Sequence, residues 1–274
     1  MYISKELIFL QLQKTACTHI EKILKSYLPG ETIGKHGPLT FDAGGRRVIG
    51  SIRNPFEWYV SLWSYGCLGR GQVHSTLTLG AMPQTLRVLR QRARAPSRWK
   101  EIPSVLTRIL RHDALEFQSL YADHDDVELF RAWLRRVLQG PEAPYIENDY
   151  PMQLVDKHLG LYSYRFLRLF TDFKAWTNLR PKLNNATDVR QYYEDHAICS
   201  TFIRNERLEK DLATLLCDIG MKTTAEELLR EKVNASQHRP YSEYYDNELV
   251  ELVRNKDALI CDVFRYDLLG QEAH

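Results

Sequence analysis

A short apolar run, Leu7-Ile8-Phe9-Leu10, breaks off into the polar segment Gln13 to Thr18. Apolar residues then return at helical spacing, Ile20, Ile23, Leu24 and Tyr27, and Pro29-Gly30 closes the unit. Four apolar residues without a polar interruption are what a strand buried on both faces requires. A strand that feeds a helix through a short loop commits the chain to α/β layers. The same order recurs at Val48 to Ile52, where a second strand ends at Arg53-Asn54-Pro55. Pro55 suits the first turn of a helix, since its fixed φ is already helical, and Trp58, Tyr59, Leu62 and Trp63 follow on that helix. Two such units predict a doubly wound α/β sheet flanked by helices, with ligands at the carboxyl ends of the strands.

The remainder fits one domain over residues 1–274 with an inserted helical subregion at about 68–150. Glu31 to Lys35 is a candidate short strand, and Tyr164 to Phe170 and Ser200 to Arg204 read as further strands. The last leads into a helix from Leu208 to Ile219 stopped by Gly220, and the tail from Tyr244 to Val253 is helical with Leu249, Val250 and Val253 inward. Between Arg87 and Arg111 eight Lys/Arg face a single acid, Glu101. Charge runs usually form a solvated face, and an anionic acceptor or partner is the alternative. With a formal net charge of +2, the whole molecule has no field that demands nucleic acid. Five scattered cysteines fit neither a disulfide framework nor a zinc site, which points to a reducing compartment. No signal-peptide pattern and no apolar stretch of about 18 residues is present, so the expectation is a cytoplasmic protein without a membrane span. His112, Asp113, His124 and Asp125 can be written as a metal set, but they meet no ligand spacing, and no metal is expected.

The chemistry concentrates in the two turns. Gln13-Lys14-Thr15-Ala16-Cys17-Thr18 lies where free backbone N–H groups and the positive helix end favour a phosphate, with a lysine and two hydroxyls beside them. It lacks the G-x-x-x-x-G-K-[ST] pattern, having no glycine from Gln11 to Leu28, which disfavours a nucleoside triphosphatase. In the second turn Arg53 ends a strand and Ser61 follows about two helical turns later, so both side chains can approach one anion.

Together these loops resemble the 5′-phosphosulfate and 3′-phosphate motifs of the sulfotransferases that use 3′-phosphoadenosine 5′-phosphosulfate (PAPS), particularly the branch of carbohydrate and bacterial enzymes. The family's first loop usually reads Pro-Lys-Thr-Gly-Gly-Thr-Ser. This chain agrees at Lys14, Thr15 and Thr18 and departs at Gln13, Ala16, Cys17 and His19. The second motif, Arg-Asn-Pro, an aromatic and later a serine, agrees throughout. Phe202 to Leu212 is similar to the family's late strand-to-helix segment, with Glu206 structural. Val233 to Asp246 is similar to the loop and helix that close over the nucleotide.

The resemblance implies an α/β fold with a Rossmann-like or P-loop-like parallel sheet flanked by helices, and transfer of a sulfuryl group from PAPS to an unidentified hydroxyl or amine, with the 3′,5′-bisphosphate PAP as product and no metal required. It implies that Lys14, Thr15, Ala16, Cys17, Thr18 and His19 cradle the phosphosulfate, and that Arg53, Ser61, Ser236 and Arg239 meet the 3′-phosphate. Lys14 would stabilise the leaving oxygen, and His36 would be the base, with His19 as its rival. A P-loop-like kinase or hydrolase, and a binding module without catalysis, remain the alternatives. The segment from about Leu68 to Cys199 matches no part of the family pattern, and neither acceptor nor oligomeric state is legible.

Overall fold

The computed structural model describes residues 1–78, 113–140, 146, 159–229 and 239–269. Five strands form one mixed sheet: β1 (Tyr2–Ser4), β2 (Leu7–Leu10), β3 (Gly30–Thr32), β4 (Arg47–Ile52) and β5 (Thr201–Arg204), in the order β3-β1-β2-β4-β5. β2, β4 and β5 are parallel, with Leu10 opposite Gly50 and Ile52 opposite Arg204. β1 runs antiparallel to both β2 and β3. The expected parallel arrangement therefore holds on one side of the sheet, β2-β4-β5, and a hairpin of β1 and β2 makes the other side antiparallel. β1 was not anticipated, because three residues carry too little pattern to separate it from the run that follows.

Helices α1 (Cys17–Tyr27), α2 (Pro55–Cys67), α3 (Gln72–Leu77), α4 (Ala114–Ser119) and α5 (Val127–Gln139) precede α6 (Leu161–Phe170), α7 (Phe173–Leu179) and α8 (Ala186–His196). After β5 come α9 (Leu208–Asp218), α10 (Ala225–Leu229), α11 (Asn247–Lys256) and α12 (Ala258–Phe264), with 3₁₀ turns at Arg180–Lys182, Asn205–Arg207 and Tyr241–Tyr244. Among the described residues no helix is long and apolar enough to cross a membrane. The basic stretch from Arg87 to Arg111 lies outside the described residues.

Alternation along the strands divides the core. Leu7, Phe9, Ile49 and Ile203 face α1 and α9, where Ile20, Ile23, Leu24, Leu212 and Leu216 bury the helices' apolar stripes. Ile8, Leu10, Val48 and Ile52 face the opposite layer with Trp58, Trp63, Trp133 and Phe166. α5 contributes Phe130, Trp133, Leu134 and Val137 to that same core. α2 is buried on nearly every side, and Asn54 caps it by accepting the Phe56 N–H at 3.0 Å, one turn of geometry that Pro55 then continues.

Tyr164 to Phe170 is helix, not strand. α6 is buried at every position but the half-buried Arg168, Ser163 and Arg165 included, and its run of Tyr and Phe has strand-like composition. Its N-terminus is met by the buried Asp257 carboxylate, which accepts from Ser163 N–H at 2.8 Å and from the Tyr59 hydroxyl at 2.7 Å. Ser200 to Arg204 does supply a strand, and the tail helix begins at Asn247 with Leu249 and Val253 buried and Val250 half-buried.

Phe166, Phe170, Phe202 and Phe264 pack edge-on or stacked over the centre of β4, with centroids 5.0–5.7 Å apart. Gly50 makes that approach possible, since a Cβ there would lie 2.6 Å from the Phe170 ring and 2.9 Å from Phe202. Gly50→Ala should therefore destabilise the fold by about 1–3 kcal/mol, the usual cost of overpacking. A denaturant midpoint equal to wild type would show that the rings move aside freely.

Candidate functional site

The parallel pairing of β2 with β4 brings the two turns into contact. The first turn leaves β2 and reaches α1 through Lys14 and Ala16, both left-handed, with φ of 64° and 56°. Neither residue is glycine, so the loop stores backbone strain of a kind that concentrates at functional sites. Ala16 caps α1 without a side-chain hydrogen bond. Its carbonyl accepts from His19 and Ile20 N–H, and the N–H groups of Thr15, Ala16 and Cys17 have no hydrogen-bond partner among the described residues. Such donors at a helix start are where an anion binds best.

The second turn holds this conformation. Trp58 Nε1–H donates to the Gln13 carbonyl at 2.7 Å, and Arg53 Nη1–H donates to the Lys14 carbonyl at 3.2 Å. Thr15 Oγ1–H donates to Leu12 O at 2.8 Å and lies 2.7 Å from Ser51 Oγ. Thr15 is fully buried, and these two contacts make its hydroxyl a strut inside the loop. Thr18, by contrast, is exposed at the helix start, and Ala16 and His19 are half-buried there. Cys17 is buried, and burial pushes its thiol pKa up, against smaller lowering effects from Lys35 and Thr18.

The Lys14 ammonium sits 4.2 Å above the centre of the Tyr65 ring. Burial first, and the nearby Arg53 charge second, pull its pKa down to about 8. Arg53 is buried, and Tyr162 clamps its backbone, accepting its N–H and donating to its carbonyl at 2.9 Å each. Its Nη2 donates to Glu57 Oε1 at 2.7 Å. Ser61 is buried in α2, eight residues after Arg53.

His36 joins the site from the loop after β3. Its Nδ1 lies 2.7 Å from the Gln11 carbonyl, at the root of the first turn. A carbonyl only accepts, so Nδ1 carries the hydrogen and Nε2 presents its lone pair. Burial lowers its pKa, opposed by that hydrogen bond and aided by the charges of Arg165 and Lys35. The Gln11 side chain reaches the other way, donating to Glu21 Oε2 at 2.5 Å. Glu21 also accepts from Lys25 and Thr32 at 2.6 and 2.5 Å, and these bonds outweigh its burial and hold its carboxyl at about 2.

Arg239 is exposed, and its charge is felt at Asp123. Ser236 lies outside the described residues. Glu206 is structural, as expected: it accepts from Asn54 N–H at 2.5 Å and the Tyr266 hydroxyl at 3.0 Å. Asp113 caps α4 through Leu115 and Glu116 N–H, and His112 lies outside the described residues. Asp123, His124 and Asp125 bring ligand atoms within 4.8 Å of one another on the surface, a common arrangement in exposed turns. All five cysteines are free thiols.

The chain matches no family model, no curated protein and no solved structure. Sequence reasoning missed Tyr65, Glu57, Tyr162 and Arg165. Only Glu57 left a signal, its spacing of four from Arg53 in the opening turn of α2.

Lys14 supplies a test of this electrostatic arrangement. Its folded pKa of about 8 lies below the free lysine value, so the unfolded chain binds more protons between about pH 8 and 10.5 and stability rises with pH across that window. Below pH 8 the full penalty applies. Lys14→Met should accordingly raise stability at pH 7 by roughly 1–3 kcal/mol and flatten the alkaline rise. A less stable variant, measured by denaturant unfolding at pH 7 and 10, would mean that the ammonium is favourably held.

Proposed function

We propose that this protein is a PAPS-dependent sulfotransferase, passing a sulfuryl group to a hydroxyl or amine acceptor. The observation that carries the proposal is the Arg53 contact to the Lys14 carbonyl, which joins the two segments resembling the family's phosphosulfate and 3′-phosphate motifs. Adjacent parallel strands β2 and β4 both deliver a loop and a helix start at their carboxyl ends, as a Rossmann-like or P-loop-like nucleotide site requires. Five free thiols fit the proposed cytoplasmic setting.

In this reading the backbone N–H groups of Thr15, Ala16 and Cys17 receive the phosphosulfate end, with the exposed Thr18 hydroxyl beside them. Arg53 receives the 3′-phosphate, with Ser61 next along the helix. The acceptor heteroatom bonds to sulfur as the bond from sulfur to the phosphate oxygen breaks, and PAP leaves carrying the electron pair. Lys14 offsets the charge gathering on that oxygen, an effect strengthened by its partly buried setting. His36 takes the acceptor proton on Nε2, the nitrogen freed by the Nδ1 bond to Gln11.

PAP should raise the Tm without added Mg²⁺, and ATP should do less, because ATP lacks the 3′-phosphate. A preference for Mg·ATP would replace this proposal with a kinase or hydrolase.

His36→Ala should lower turnover by roughly 10²–10⁴-fold with PAP affinity nearly intact. Because the base acts unprotonated and burial lowers its pKa, the acidic limb of the wild-type rate profile should fall below the ordinary imidazole range near about 6.5. A limb that persists in His36→Ala would assign the proton to another group.

A further inference from the structure

Arg53 has three nitrogens with different surroundings. Nη1 is bonded to the Lys14 carbonyl at 3.2 Å, Nη2 to Glu57 at 2.7 Å, and the buried Nε has no hydrogen-bond partner among the described residues. The side chains of Arg53 and Glu57 are 9% and 21% exposed, so this pair is largely shielded from water. A buried cationic N–H left without an acceptor is costly, and a functional role at a binding site is one of the reasons native proteins retain one.

Two occupants of the Arg53 corner can be distinguished. Glu57 would be a stand-in for the phosphate if it covered the paired Nε and Nη2 edge that an oxyanion prefers. It takes only Nη2. The Lys14 carbonyl takes Nη1, and that backbone atom is itself fixed by the Trp58 bond to Gln13 next door. A guanidinium is planar, so fixing two corners fixes the direction of the third. The neighbouring carboxylate of Glu206 is already engaged by Asn54 and Tyr266, leaving Glu57 as the acid that turns to Arg53.

We propose that Glu57 is a positioning residue of the anion site: with the Lys14 carbonyl it clamps the Arg53 guanidinium so that Nε is aimed at the bound 3′-phosphate. The inference rests on the proposed role of Arg53 as a phosphate donor. It adds a carboxylate whose acceptor oxygen strengthens phosphate binding by fixing geometry, although its direct field on a phosphate is repulsive.

Calorimetric titration with PAP, adenosine 5′-phosphosulfate and inorganic phosphate separates the possibilities. Glu57→Ala should weaken PAP about tenfold, the scale of coupling within one ion-pair network. Glu57→Gln, which keeps an acceptor oxygen at the same reach, should recover most of that loss. Adenosine 5′-phosphosulfate, which has no 3′-phosphate, should bind both variants as it binds wild type, whereas general loosening of the loops would weaken both nucleotides and overturn the proposal. Arg53→Lys should lose as much PAP affinity as Arg53→Ala, since an ammonium has no planar fork; wild-type affinity in Arg53→Lys would overturn it. Tighter PAP binding in both Glu57 variants would make Glu57 a competing occupant, and unchanged binding would make it a bystander. If wild type binds inorganic phosphate but not PAP, the nucleotide assignment fails while the same variants still decide the clamp through phosphate. If it binds neither, both fail.

Discussion

The parallel pairing of β2 with β4 is the constraint on which the site depends. With Leu10 opposite Gly50, the residues just beyond each strand emerge side by side, and every contact between the two turns follows from that register. Thr15 finds Ser51, Gln13 finds Trp58, and Lys14 finds Arg53 across separations of 36 to 45 residues. A slip of one residue would reverse the faces of β4, sending Val48 and Ile52 toward α1 and away from the aromatic layer. The hydrophobic alternation that builds the core therefore also sets the geometry of the polar loops.

The loops are expensive to hold in place. Two non-glycine residues adopt left-handed backbone, and a lysine and an arginine are drawn from water beside each other. The surrounding structure overdetermines this arrangement: Tyr162 clamps the Arg53 backbone from α6, Asn54 is held by Glu206, and Trp58 stacks on Tyr162 at 4.4 Å. Gln11 has a double role, its carbonyl orienting His36 and its amide tied to the Glu21 knot that joins α1 to β3. A histidine in an otherwise ordinary loop is thereby fixed to the same strand end as the lysine.

The two strand-to-helix turns were legible because they depend on local signals: an apolar run, a proline at a helix start, a cluster of polar residues. The inward Thr15 hydroxyl was not, because its orientation is decided by Ser51, which is distant in sequence. α6 was misread for a related reason. Its aromatic run has strand-like composition, and the feature that makes it helical in context, complete burial between β4, α7 and α12, belongs to tertiary structure. Arg165 lies in the misread segment, so the misreading also hid a residue whose charge acts on His36.

The pairing of β4 with β5 has a consequence for biosynthesis. Ile49 is opposite Thr201, so the inner edge of β4 stays unpaired until about 150 further residues have been made. At bacterial or eukaryotic elongation rates, roughly 5–20 residues per second, that delay lasts on the order of ten seconds or more. During it an apolar edge strand and the face that later meets α9 are open to intermolecular pairing. Newly synthesised chains are thus most vulnerable to aggregation before β5 emerges, and holdase chaperones that shield strand edges would affect the yield of this protein more than its final stability.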